Sequence, residues 1–406
     1  VRLEYPIGTV LYESPGWISR VRVNPDGDRV LIADNPQRGD NSAKVLIVHR
    51  NGKVEDLGFG GSWGVLWDLD GEAVLASSGV SLGRYRPGHD RVNLMAEPTS
   101  LHLLDMAPSG RILVAIATLR REMIVRAPGA TEELNLSWQD WSTPSILSDD
   151  GRLALFVEGN DGTAEGSTVY LRQTDGAPPV QLGEGSIVAL SPDAAWLALV
   201  QHAFSENQTL VVVPTGPGEP RKIPLQGLRL SNVDGRWLAG TDGGGDFLLV
   251  AARRGDEPLG IYRLPLDGVT APRAITPPDF PLAAHGHLVS VDGQRIVVMP
   301  TAGAAVSFGS DGEGPQVLAG VLASDLPVGL DQDGRHLYVQ ASRTIPSPII
   351  RVDMVTGERT LQAELAPRDP AGVSIVDRVD LSADGRAYIY SIRRVVSSLL
   401  ALDGLR

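Results

Sequence analysis

One short motif recurs along the whole chain, and no other feature limits the fold as strongly. It is an apolar stretch, a tight turn ending in Asp-Gly, a polar or basic residue, and a second apolar stretch. The first copy is Val21-Arg22-Val23-Asn24-Pro25-Asp26-Gly27-Asp28-Arg29-Val30-Leu31-Ile32. Pro25 pre-sets φ at the second turn position, Asp26 bonds to its own local backbone, and Gly27 supplies a positive φ. Such a turn between two apolar runs predicts a β-hairpin. Further copies lie at Asp70-Gly71, Ser109-Gly110, Asp150-Gly151, Asp193-Ala194, Asp242-Gly243, Asp292-Gly293, Asp333-Gly334 and Asp384-Gly385, spaced 39 to 51 residues apart. Asp234-Gly235 belongs to the lead-in of its unit, with Trp237-Leu238-Ala239 as the strand before Asp242. Ala194 stands where Gly is usual, which leaves the turn type of the fifth copy open.

Most units continue with two more strands, Lys44–His49 and residues 54–57 in the first, residues 168–172 and 180–182 in the fourth. A period of roughly 40 to 45 residues with four strands is the blade of a propeller. The chain is therefore expected to be all-β: one β-propeller over residues 1–406, of four-stranded blades. The turns count nine blades, with eight as the fallback if one unit is an excursion. The second unit is the weakest, because its third strand is hard to place between Ser81 and Asp90. The last unit, from Ile375, has three strands, and a spare strand at 9–13 precedes the first. Closure is expected from these two ends, with residues 7–14 completing the last blade.

A chain of 406 residues exceeds a single hydrophobic core, which suits repeats that each contact only their neighbours. The net charge of −13 repels phosphate backbones and argues against nucleic acid as a partner. The absence of cysteine excludes disulfides, thiolate metal sites and a Cys nucleophile. No apolar run reaches the length of a membrane span, and no signal-like stretch follows Val1. The chain reads as soluble, with any membrane anchor in an upstream segment.

Several segments carry a resemblance. They are Ile7-Gly8-Thr9-Val10-Leu11-Tyr12 followed by Gly16-Trp17-Ile18, then Leu136-Ser137-Trp138-Gln139-Asp140-Trp141-Ser142, then Asp369-Pro370-Ala371-Gly372-Val373 and residues 388–394. With them the chain resembles, over nearly its whole length, the C-terminal extracytoplasmic region of bacterial receptor-type serine/threonine protein kinases. The propellers of that family are related to the TolB and WD40-like repeats. The resemblance implies a membrane-anchored parent, an extracytoplasmic location (periplasmic or cell surface), and a sensor or protein-interaction role without catalysis in this part. The kinase motifs themselves are not in this sequence. Two other readings share the fold, a free-standing TolB-like scaffold that binds protein partners and the propeller cap of a serine peptidase.

Other motifs have ordinary explanations. Gly60-Gly61-Ser62-Trp63-Gly64 matches the nucleophile elbow of α/β-hydrolases, but that elbow needs a helix after it, and a strand is expected here. Arg38-Gly39-Asp40 reads as loop, and Asn135-Leu136-Ser137 and Asn207-Gln208-Thr209 match a glycosylation pattern that means little without a eukaryotic secretory origin. His285-Gly286-His287 places two imidazoles on one side of a strand without an evident third ligand. The acidic loops at 158–166 and 310–314 lack the EF-hand spacing, so no metal or cofactor is expected. Register supports a sharper expectation. Trp17, Trp63, Trp141 and His285 all lie seven to nine residues before a turn Asp, at the start of the innermost strands. That puts them on the ring face opposite the Asp-Gly turns, where amphipathic rings suit an unidentified ligand or protein partner. Inter-blade packing is the competing reading of the same residues.

Overall fold

The computed structural model describes all residues except 36–42, 61, 160–166, 204, 241–244, 278–279, 281, 301–303, 310–311, 313 and 405–406. For residues 60, 62, 232–234 and 283–286 it describes the backbone alone. Two compact units emerge, Val1–Leu119 with Val395–Arg406, and Arg120–Arg394.

In the first unit β1 (Arg2–Glu4) pairs with β2 (Val10–Glu13). One four-stranded sheet holds β3 (Trp17–Val23), β4 (Arg29–Asn35), β5 (Lys44–His49) and β6 (Val54–Gly60). The next holds β7 (Ser62–Trp67), β8 (Val74–Ser78), β9 (Ser81–Tyr85) and β10 (Val92–Ala96), so the doubtful third strand of the second repeat is β9. Then come β11 (Ser100–Met106) and the long β12 (Ile112–Arg126).

In the second unit β13 (Leu134–Asn135) pairs with the end of β12. Five four-stranded sheets follow in sequence order. They are β14 (Ser142–Leu147), β15 (Leu153–Glu158), β16 (Thr168–Gln173) and β17 (Val180–Glu184); then β18 (Ser186–Leu190), β19 (Trp196–Gln201), β20 (Thr209–Pro214) and β21 (Arg221–Ile223). The third is β22 (Leu228–Leu238), β23 (Phe247–Arg254), β24 (Gly260–Pro265) and β25 (Arg273–Ala274). The fourth is β26 (Leu282–Val289), β27 (Arg295–Pro300), β28 (Val306–Gly309) and β29 (Gln316–Val317), and the fifth β30 (Leu326–Leu330), β31 (His336–Gln340), β32 (Ser347–Asp353) and β33 (Arg359–Leu365). Finally β34 (Val373–Leu381) pairs with β35 (Tyr388–Leu402), and β35 pairs with β12.

Eight of the nine repeated turns are described, and each joins the two strands of a hairpin; the sixth, Asp242-Gly243, lies outside the described residues. Three of these eight hairpins, β3–β4, β7–β8 and β11–β12, begin in the first unit, and the other five in the second. The expected closing strand differs. Val10–Glu13 pairs with β1, where Tyr12 donates to Asp34 at 2.7 Å, and the third strand beside β34 and β35 is β12. The physical reason is length. The final segment is one continuous strand from Tyr388 to Leu402, and β12, also 15 residues long, lies along it.

The turns hold register by a clamp that the sequence displays only in part. Ser148 Oγ donates to Asp150 Oδ1 at 2.6 Å and accepts the Leu153 N–H at 2.9 Å, while Asp150 accepts the Arg152 N–H at 3.0 Å. Ser191, Ser290 and Ser382 repeat this with Asp193, Asp292 and Asp384. These bonds satisfy the polar groups that a hairpin end leaves open. Ala194 keeps the left-handed φ of +57° that its glycine counterparts show, and its N–H still bonds Ser191 O at 2.8 Å. Every first strand also carries a bulge against the second, for example between Ser19 and Arg22 and between Asp377 and Asp380. A bulge bends the strand and re-aims side chains.

Burial runs highest in the second strands. β4, β8, β15 and β19 are covered on both faces, which explains their unbroken apolar sequence. The outer β25 and β29 are exposed and only two residues long. Apolar clusters lie between successive sheets, such as Leu155, Val169 and Leu197, or Val297, Leu318 and Leu337. Each such side chain contributes about 1.5–3 kcal/mol relative to exposure. Met123, Val125 and Ile389 pack on Leu147, Ala154 and Phe156, linking the last sheet of the second unit to its first full one.

Candidate functional site

The first strand β34 brings Asp377 and Arg378 to the middle of the second unit's last sheet. β12 contributes Arg121 and β35 contributes Ser391 and Arg393. Arg121 is 5% exposed and Asp377 7%. Arg121 Nη1 donates to Asp377 Oδ1 at 2.9 Å and to Ser391 Oγ at 3.0 Å, and the Ser391 hydroxyl in turn donates to Asp377. Arg393 Nε stands 3.6 Å from the other oxygen of Asp377. The Arg121 guanidinium lies 5.4 Å from the centre of the Trp141 ring, a cation–π contact on the residue just before β14. Burial holds the Arg121 guanidinium below its ordinary value, Asp377 pushes it back up, and Arg393 and Arg378 press it down again. Nε of Arg121 and Nε of Arg393 are buried without a hydrogen-bond partner. Arg378 is exposed and holds a φ of +53° at the bulge.

Farther along β34, Asp380 accepts the N–H of Leu147 at 2.7 Å and of Leu381 at 2.9 Å. Its carboxyl is pushed up to about 7, chiefly by desolvation, although the residue as a whole keeps part of its surface. Nearby Asp149 and Arg236 pair at 2.5 Å.

Asp331, Asp333 and His336, at the eighth turn, place possible metal-ligand atoms within 4.8 Å of one another. The Asp331 carboxylate already has a donor: it accepts the His336 N–H at 2.9 Å and faces His336 Nδ1 at 2.5 Å. Arg335 grips neighbouring Asp353 at 2.7 Å, and Arg351 stands 3.0 Å from His336 Nδ1. Backbone N–H groups of Thr356, then Arg335 and the Val355 N–H, hold Asp353 well below the carboxylate range. The Asp331–His336 pair is thus joined to the charges of Arg335, Arg351 and Asp353. The groove between β17 and β20, of about 310 Å³ and lined by Val180, Leu182, Val213 and Pro214, presents no convergent charge.

Trp17, Trp63, Trp141 and His285 do fall at or near the beginnings of first strands β3, β7, β14 and β26. Trp17 and Trp63 belong to the first unit, and Trp141 and His285 to the second. Trp17 and Trp63 are each 37% exposed, and Trp63 meets His102 edge-on at 4.9 Å. The His285 side chain lies outside the described residues, as do Arg38-Gly39-Asp40 and most of the two acidic loops. Ser62 opens β7, and the next element is strand β8, not the helix of a nucleophile elbow. Sequence reading missed Arg121, Asp377, Arg378 and Arg393. A charged pair inside the apolar run from Ile375 to Val379 was the available signal.

No family model matches the chain, and no curated protein matches it. Among solved structures it is similar to a TolB-assigned protein from Agrobacterium tumefaciens (16% identity, 68% of this chain and 99% of that one, TM-score 0.48). It is also similar to TolB from Acinetobacter baumannii (13%, 81% and 79%, TM-score 0.41). A third is a puromycin-hydrolysing peptidase from Mycobacterium tuberculosis (17%, 79% and 56%, TM-score 0.40). Among the described residues no helix is long and apolar enough to cross a membrane.

Proposed function

We propose that the chain is a non-catalytic recognition module built of propeller blades, forming the extracytoplasmic part of a membrane-anchored serine/threonine protein kinase. The observation that carries the recognition role is the difference between the two ends of the sheets. Connections between first and second strands are nearly constant, as in Val23 to Arg29 and Leu330 to His336. Connections between second and third strands run from Ser78–Ser81 to Glu158–Thr168. Varied loops on a rigid scaffold are where binding groups sit. The antiparallel pairing places the starts of the first strands, with Trp63 and Trp141, at this varied end of their own sheets. The kinase context rests on the resemblance of the segments around Trp17 and Trp141 and of residues 388–394.

For the architecture, the reading is six blades in the second unit. Its first strands touch in the order β14, β18, β22, β26, β30, β34 and back to β14, which supports a ring. Residues 120–135 then supply the outer strands of the sixth blade.

The test is a peptide-display screen on the purified chain, followed by binding measurements on variants. Trp63→Ala or Trp141→Ala should weaken the selected peptide by more than about 1 kcal/mol, the usual threshold of an interface anchor. Asp333→Ala, at a turn, should leave it unchanged. Equal binding in both Trp variants, with folding intact, rejects this end as the recognition face.

A further inference from the structure

Around Asp377 on β34 stand the guanidiniums of Arg121 from β12 and Arg393 from β35, with Arg378 next to it in sequence. Arg121 is nine-tenths buried and its Nε has no partner. Asp377 balances the buried Arg121, so Arg393 and Arg378 add positive charge on the accessible side, and a buried donor left unpaired is itself costly. The Arg393 side chain is 42% exposed and Arg378 is exposed, so an incoming group can reach both.

A second observation points the same way. Arg378 holds a φ of +53°, a region that costs a non-glycine residue roughly 1–2 kcal/mol and that glycine adopts freely. A long cationic side chain kept where the backbone favours glycine is the kind of strain that functional sites retain. The register shift between Asp377 and Asp380 interrupts the regular pleat at this exposed residue.

We propose that Arg378 and Arg393, backed by Arg121 and Trp141, bind a carboxylate group of a peptide partner, an acidic side chain or a chain terminus. Asp377 already shows how a carboxylate meets this cluster, with one oxygen on Arg121 and the other towards Arg393. A second carboxylate on the exposed side makes charge-assisted, fork-like bonds that suit guanidinium geometry. The Trp141 ring offers an apolar surface for the peptide beside the charge. The overall charge of −13 opposes extended polyanions and leaves room for a local acidic group. This inference rests on the reading of the chain as a recognition module and names the chemistry of the group it recognises.

The experiment measures fluorescence anisotropy of a labelled peptide rich in Asp and Glu, against its Asn/Gln counterpart and against free acetate and inorganic phosphate as competitors. The acidic peptide is expected to bind at least tenfold tighter than the neutral one. Arg378→Gly and Arg393→Met are each expected to lose at least fivefold. Arg378→Gly is the sharper variant, because it should fold as well as the parent. Arg152→Ala, which removes an exposed arginine at a turn of the same unit, should change nothing. Equal binding of the neutral peptide overturns the carboxylate assignment and leaves the recognition face standing. No binding of the acidic peptide at millimolar concentration, or stronger competition by phosphate than by acetate, also overturns it.

Discussion

The two units use the same device at a first-strand bulge and surround it differently. Arg20 on β3 and Arg378 on β34 both sit at bulges with left-handed φ values of +55° and +53°. In the first unit the surroundings are Trp63 and His102, whose imidazole is pushed below its ordinary value by burial and then by Arg20. In the second unit they are a buried Arg121–Asp377 pair under Trp141. A lone arginine beside an uncharged imidazole asks little of its neighbours. An arginine beside a buried ion pair joins a network in which each charge depends on the others. The repeat therefore fixes where the bulge arginine stands, and the partners two sheets bring decide what it can do.

The strongest break in this comparison is Arg121→Met. Removing one partner of a buried pair strands the other, so the second unit should lose about 3 kcal/mol or more in urea unfolding. His102→Phe in the first unit should stay within about 1 kcal/mol. Similar losses for both would show that the ion pair is not special.

A subtler contrast is pH. Asp380 has a folded pKa of about 7 against an ordinary 3.8, so the native state binds the extra proton between these values. Its contribution is complete below the unfolded pKa and is lost as pH rises towards 7. His102 shifts the other way. Its folded pKa is lowered, so stability is kept above about 6.5 and falls as pH drops below it. Hydrogen exchange, corrected for intrinsic rate, should show protection at β34 rising relative to β11 between pH 7 and pH 5. Asp380→Asn should flatten the β34 response. A parallel response of both strands, unchanged by Asp380→Asn, would refute the assignment.

Hairpin positions were legible because turn chemistry is local: Asp150-Gly151 announces its turn from neighbouring residues alone. The serine two positions before Asp150, Asp193, Asp292 and Asp384 is equally visible in the sequence, and it closes the clamp in those four turns. The assignment of strands to units was not legible, because Met123 and Ile389 meet through pairing across more than half the chain, and no short-range signal encodes that. Trp17, Trp63 and Trp141 stand at or next to the first residues of β3, β7 and β14, a position that spacing from the turn Asp displays. Which unit each strand joins was not legible in that register, because position in a strand does not encode it.

The smallest effect expected is at Arg20. Arg20→Gly relieves the left-handed backbone but adds unfolded-state entropy, for a net gain of about 0.5 kcal/mol in thermal unfolding. A loss instead would mean that the Arg20 side chain contributes more to the first unit than the comparison with Arg378 allows.

The clamped turns have a consequence for how the chain reaches its native state. Each hairpin closes within a few residues, so its register can form before any distant contact exists, and such local contacts form fast. The last sheet of the second unit is the exception, since Arg121 and Asp377 are 256 residues apart in sequence. On a ribosome, β12 must wait until β34 and β35 have been made, with its apolar residues Met123 and Val125 uncovered in the meantime. The vulnerable interval in synthesis is therefore the whole span between these segments, and aggregation or chaperone binding should centre on residues 120–135.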